Sequence, residues 1–363
     1  MKKKYIFLTS FIVATFFLFF SIPAHASEFN FAVNPVVPEN QIDKELTYFD
    51  LKMNPGAQQI LNVQLRNDTD KDITVEASIN SATTNLNGVV EYGSNKIKPD
   101  ESLKYNLKDY AKIDGEITLA KHTEKEVPVS VTMPKESFEG VMAGGITFKE
   151  KTDDSNANSA DKDKGLSIKN EYSYVVALLL RQNTTDVQPD LKLKTVEPDQ
   201  VNARNVINIG LQNPKAAYLN QLNISAAIYE KGSTEALYKS QKDSMQMAPN
   251  SHFSYPISLN GEKLKAGKYV MKMTAYGMKD EKGSFKAKDS NGKENNYIYR
   301  WNFEKEFEIK SDVADKLNEK DVSIEKNNNW IYWLVGILIL LLLLLILWFY
   351  LRKRKKEEDS KED

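Results

Sequence analysis

Cysteine does not occur anywhere in this chain of 363 residues. Disulfide staples, zinc–thiolate centres and thiol catalysis are thereby excluded, so any exported domain must be stabilised by its own core. Histidine is almost as scarce, with only His25, His122 and His252. His122 stands in a Lys/Thr/Glu turn and His252 follows Pro249-Asn250-Ser251, so both read as solvated loop residues. Neither has a serine or carboxylate at the spacing of a hydrolytic triad or a zinc motif. One-signed charge is missing too. With three leader cations and the tail's six cations and five anions set aside, residues 27–329 carry 40 basic against 45 acidic side chains. Interspersed signs near balance argue against nucleic acid as a partner. No helix-period run of useful length interrupts residues 27–329.

Two long apolar runs are present, one at each end. Trp330–Leu351 is 22 residues without a formal charge, followed by Arg352-Lys353-Arg354-Lys355-Lys356. A helix of that length runs ~33 Å, enough to cross a bilayer core, and the cations hold its end in the cytoplasm. Aromatic residues at both ends (Trp330, Tyr332 and Trp333; Trp348 and Tyr350) read as interfacial belts. At the N-terminus, Lys2-Lys3-Lys4 precede an apolar run to Phe20 and the small-residue site Ala24-His25-Ala26. Cleavage after Ala26 is expected, making 1–26 a signal peptide. The mature chain is then a single-pass plasma-membrane protein with its N-terminus outside, facing the cell wall. Residues 352–363 form its cytoplasmic tail.

Between these ends the pattern has period two. Leu61, Val63 and Leu65 alternate with polar residues, as do Ile73, Val75, Ala77 and Ile79, and Val127, Val129, Val131 and Met133. Such segments are half-buried strands joined by Asn/Asp turns. Tyr172–Leu180 is apolar on both faces and is expected as a central strand covered on each side. Lys151–Gly165 lacks large apolar residues and reads as a flexible hairpin loop between Val141–Phe148 and Tyr172–Leu180; a domain boundary within 150–165 is the alternative. A second alternating series begins after Gln188-Pro189-Asp190. The expected fold is all-β: two tandem immunoglobulin-like β-sandwich domains, 27–187 and 188–310, then the transmembrane helix 330–351. Residues 311–329 are polar and are expected as a stalk, at most ~65 Å long when extended.

Candidate chemistry is sparse. Gly140-Val141-Met142-Ala143-Gly144-Gly145 is glycine-rich but no helix follows, so a strand bend fits better than a phosphate cradle. Asp68-Thr69-Asp70-Lys71-Asp72 lacks the glycine and terminal glutamate of a calcium loop and reads as a turn. No metal and no cofactor is expected. Nothing isolates a catalytic acid pair, although acid–base partners meet in space rather than in sequence, so a wall glycan hydrolase stays as the distant alternative. Tyr297, Tyr299, Trp301 and Phe303 share one strand face, as a core stripe or a ligand platform, with Trp301 expected in the second core. Asn85, Asn87 and Tyr92 are the binding candidates, a polar loop before a ring that can hydrogen-bond and stack on sugar. Asn87-Gly88 is also a strong hairpin signal.

Several segments together resemble the WxL-interacting protein family of Gram-positive surface proteins. They are FAVNPVVPENQ (31–41), YFDLKMNPG (48–56), ATTNLNGVVEY (82–92), MPKESFEGVMAGGITF (133–148) and YSYVVALLLR (172–181). NVINIGLQNP, MAPNSHFSYPI, LKAGKY and WNFEKEFEIK continue the match through the second half. The resemblance implies a peptidoglycan-binding first domain and a host-binding second one, beside WxL-domain surface proteins. On that basis the expected function is a non-catalytic, membrane-anchored adaptor for peptidoglycan and those proteins. The alternatives are a host-matrix adhesin and a chaperone-like subunit lending an edge strand to a client. The resemblance assigns no site residue.

Overall fold

The computed structural model describes residues 30–151, 172–324 and 329–359. The expected signal peptide and all but the first residue of the expected loop at 151–165 lie outside the described residues. Alternating segments become β1 (Phe31–Pro35), β2 (Phe49–Lys52), β3 (Gln58–Asn67), β4 (Ile73–Ser81), β5 (Thr83–Thr84) and β6 (Val90–Glu91). One helical turn, α1 (Leu107–Tyr110), precedes β7 (Ala111–Lys112), β8 (Glu116–Leu119), β9 (Thr123–Thr132), β10 (Met142–Glu150) and β11 (Ser173–Arg181). They form a four-stranded sheet in the order β1-β3-β9-β7, a five-stranded sheet β2-β11-β10-β4-β8, and a β5-β6 ribbon. In β3, Leu61 pairs with Val129 of β9 and Val63 with Val127. This apolar pleat meets Val75, Ile146, Phe148 and Leu178 of the other sheet in one core.

β10 and β11 pair antiparallel from Met142 opposite Leu180 to Lys149 opposite Ser173. Two-sided burial of β11 holds over Leu178–Leu180 only. Leu178 and Leu180 enter the main core, while Leu179 joins a smaller cluster with Ala82, Val141 and Ala143. Val175 is 43% exposed, because that smaller cluster does not extend over it.

The second series gives β12 (Lys192–Val201), β13 (Arg204–Asn213), β14 (Leu219–Glu230), β15 (Ala236–Met247) and β16 (Ser251–Ser258). β17 (Gly267–Lys279), β18 (Phe285–Lys288) and β19 (Glu294–Ile309) follow. The sheets are β12-β13-β16 and β15-β14-β17-β19-β18, with Ile209, Ile224, Ile228, Ile257 and Met271 buried. The chain is thus mostly β, with two sheets of the first unit closing on one core. It divides into two compact units. The first holds residues up to Lys192 with Gln212–Gln221 and Met245–Phe253; the second holds Leu193–Leu211, Leu222–Ser244 and the chain from Ser254 on.

Three expectations need correction. Residues 311–324 are not an extended stalk: Ser311–Lys320 is a helix, α2, with Ala314 buried. Asn318 of the helix and Asp321 just after it complete backbone hydrogen bonds of the second unit, while the other polar side chains stay exposed. Asn318 Oδ1 accepts from Leu264 N at 2.8 Å, its amide donates to Leu264 O at 2.9 Å, and buried Asp321 accepts from Asn205 N at 2.7 Å. Trp301 is only half-buried, stacked on Tyr299 at 5.7 Å, because a three-stranded sheet cannot cover all of a five-stranded one. His252 belongs to β16 rather than a loop, and its ring nitrogen engages Asp100. The final helix, α3 (Asn329–Asp359), contains Tyr332–Phe349 at mean hydropathy 2.8, long and apolar enough to cross a membrane.

Candidate functional site

The first unit carries a cleft of about 190 Å³ whose lining, rich in asparagine, comes from four stretches of chain. The end of β4 supplies Asn80 and Ser81, and the irregular segment after β6 supplies Asn95, Lys98 and Asp100. The entry to α1 brings Asn106 and Lys108, and the start of β16 adds Ser251 and His252. This segment is irregular because its short polar side chains bind its own backbone. Asn95 Oδ1 accepts from Ile97 N at 2.9 Å, and Asp100 Oδ1 from Ser102 N at 2.8 Å. Such local bonds favour turns over strands.

Asp100 is the hub. Its side chain is 6% exposed and accepts from Ser102 Oγ at 2.6 Å and Gln212 Nε2 at 2.8 Å, while Oδ2 lies 3.0 Å from His252 Nδ1. Burial alone would raise its pKa, but the bonds from Ser102 and Gln212 and the charge of His252 outweigh that and hold it below the usual carboxylate value. Ser81 Oγ ties the opposite wall, donating to Asn106 Oδ1 at 3.0 Å and accepting from Leu107 N at 2.8 Å. Lys98 and Lys108 make no ion pair among the described residues. Amide donors and acceptors, hydroxyls and two cations converge on one concavity. That set suits a neutral or anionic ligand rich in amides and hydroxyls. The His252–Asp100 pair resembles half of a proton relay. The neighbouring Ser251 Oγ is already engaged, donating to Ala248 O at 2.8 Å and lying 2.7 Å from Thr84 Oγ1.

Asn85, Asn87 and Tyr92 do not line this cleft. Asn85 builds the hairpin turn: its Oδ1 accepts from Asn87 N at 2.8 Å and Val89 N at 3.2 Å, and its amide donates to Glu91 at 2.7 Å. Gly88, at φ +68°, completes that turn. Asn87 sits at the exposed tip. The Tyr92 ring packs against the Ala82–Val141–Leu179 cluster, its hydroxyl 3.1 Å from that of Tyr218, and burial raises its pKa. Sequence reasoning missed Asn80, Asp100, Asn106 and His252. The one signal that could have pointed there is the Asn/Asp/Pro density of the segment 95–106.

Residues 31–150 match the family model of the WxL Interacting Protein, peptidoglycan binding domain; residues 163–319 match that of the WxL Interacting Protein, host binding domain. The chain belongs to the WxL-interacting protein family. The host-binding match begins ahead of β11, yet β11 completes the sheet of the first unit. No curated protein matches the chain. Among solved structures, it is similar to the CsuC–CsuE chaperone–tip adhesion subunit complex of Acinetobacter baumannii archaic chaperone–usher pili, at 12% identity and TM-score 0.31. That alignment covers 76% of this chain and 98% of the other. The YadV chaperone aligns at 10% identity and TM-score 0.29, over 76% and 100%. The E. coli chaperone DraB aligns at 15% and 0.24, over 72% and 94%.

Proposed function

We propose that this WxL-interacting protein is a non-catalytic, membrane-anchored surface adaptor that binds peptidoglycan through the amide-lined cleft and holds WxL-domain surface proteins beside the wall. The cleft carries this reading. Most of its lining falls inside the segment matched as peptidoglycan-binding, and its chemistry complements peptidoglycan. Stem peptides present amides to Asn80, Asn95 and Asn106, and carboxylates to Lys98 and Lys108. A host ligand on the second module is the second reading. The half-buried row Tyr299, Trp301 and Phe303 on β19 favours it, since amphipathic rings are frequent anchors of protein interfaces.

The detergent-solubilised chain should sediment with purified sacculi and release no soluble fragments, and Asn106→Ala with Lys108→Ala should weaken that retention about tenfold. Liberated muropeptides would make it a hydrolase, and full retention by the double variant would move binding away from the cleft. The anchor is tested separately. Removing Trp330–Asp363 should shift the protein from the membrane fraction to the medium, and persistence in membranes would refute a single C-terminal anchor.

A further inference from the structure

A second depression of about 260 Å³ adjoins the cleft, the two sharing Leu103 and Asn250 as a common wall. Its lining adds two aromatic rings, which the cleft does not have. Tyr105 and Phe138 form one side, their ring centroids 5.1 Å apart, and Val141 and Met142 form the floor. Ser102, Glu139, Lys215 and Asn250 stand around it as polar groups.

The walls are built rather than incidental. Phe138 is held through its backbone, donating N–H to Gln182 Oε1 at 2.8 Å and accepting at its carbonyl from Asn183 at 3.2 Å. Val141 N donates to Ala216 O at 2.8 Å. Gly140, at φ +85°, permits that approach, because a Cβ there would lie 2.1 Å from Ala216 O. The first glycine of the Gly140–Gly145 run therefore shapes this depression. Tyr105 is braced edge-on by Tyr110 at 5.7 Å.

We propose that this depression is a second subsite, for one pyranose ring of the glycan strand whose peptide stem occupies the amide-lined cleft. This rests on the peptidoglycan reading above. A pyranose has apolar C–H faces and a hydroxyl-bearing rim, which matches an aromatic-and-aliphatic bowl ringed by hydrogen-bonding side chains. Ser102 and Asn250 already hydrogen-bond to Asp100 and Pro214, so Glu139 and Lys215 are the rim groups left to meet the sugar hydroxyls. The shared Leu103–Asn250 wall lets one polymer reach both sites. Recognition is then strongest when the glycan and the peptide bind together.

The test uses the full chain in detergent with two probes, peptide-free glycan strands and free stem peptides. Wild type should bind both more weakly than intact sacculi. Tyr105→Ala, which removes one ring, and Val187→Trp, which fills the bowl from its rim, should each weaken glycan binding about tenfold and leave stem-peptide binding unchanged. Val187 lies in an irregular segment, so the second variant keeps the test valid if the first perturbs folding. Undiminished glycan binding by the folded variants overturns the subsite, as does a wild type that holds sacculi and stem peptides but no glycan. Loss of capture of a WxL-domain protein with glycan binding intact would assign the bowl to a partner side chain and overturn it as well. A wild type that binds no sacculi at all fails at the peptidoglycan reading itself, a separate result.

Discussion

Leu178→Asp is expected to unfold the first unit. Leu178 is fully buried on β11, opposite Gly144 of β10 on one side and Phe49 of β2 on the other. The substitution discards the burial of a leucine, about 1.5–3 kcal/mol, and adds a carboxylate to the core at a cost of several more. Arg181, three residues on, cannot neutralise it, being bound to both oxygens of Asp50 at 2.8 and 3.2 Å. Against a domain stability of ~5–15 kcal/mol, little folded protein should remain. Val175→Asp is the matched control on the same strand. Its site is 43% exposed, so its cost should stay near 0.5 kcal/mol, as for other surface substitutions. Urea denaturation followed by circular dichroism compares the two. A Leu178→Asp chain with a wild-type midpoint would mean that a partner, not a core, covers this strand.

That contrast between neighbouring positions shows what local pattern can and cannot carry. Period-two alternation located the faces of β3 and β9 correctly, because an antiparallel sandwich buries one pleat and solvates the other. The Asn87-Gly88 turn was equally legible, since its geometry depends on four adjacent residues. β11 was legible as apolar, but how far its second face is covered depends on a cluster drawn from Ala82, Val141 and Ala248. Helix α2 was invisible for a similar reason. Asn318 and Asp321 look like solvated stalk residues until Leu264 and Asn205, at least fifty positions away, present unsatisfied backbone groups to them. The cleft is the extreme case. Asp100 meets Gln212 and His252 across more than a hundred residues, and no spacing rule announces such a meeting.

Gly144→Val joins stability to the site. Gly144 lies in β10 between Ser81 of β4 and Leu178 of β11. A Cβ there would fall 2.1 Å from Asn80 O, 2.4 Å from Leu107 Cδ2 and 3.0 Å from Ser81 Cα. The first and last of these are backbone atoms in a paired strand, which cannot swing aside as a side-chain end can. Overpacking of this kind costs about 3 kcal/mol, or roughly 10 °C in melting temperature for a domain of this size. Whatever relief occurs must push β4 or α1 outward. Asn80 and Ser81 line the cleft, and Leu107 follows the lining residue Asn106, so the displacement passes directly into the proposed site. The variant should therefore lose sacculus binding even at temperatures where it remains folded. Gly115→Ala is the control, since nothing lies within 4 Å of a Cβ built there. It should melt and bind as wild type does. If Gly144→Val lowers the melting temperature yet binds sacculi normally while folded, the ligand does not use the wall formed by Asn80, Ser81 and Asn106. If it melts like wild type, β10 is not packed against β4 and α1 as the structure places it.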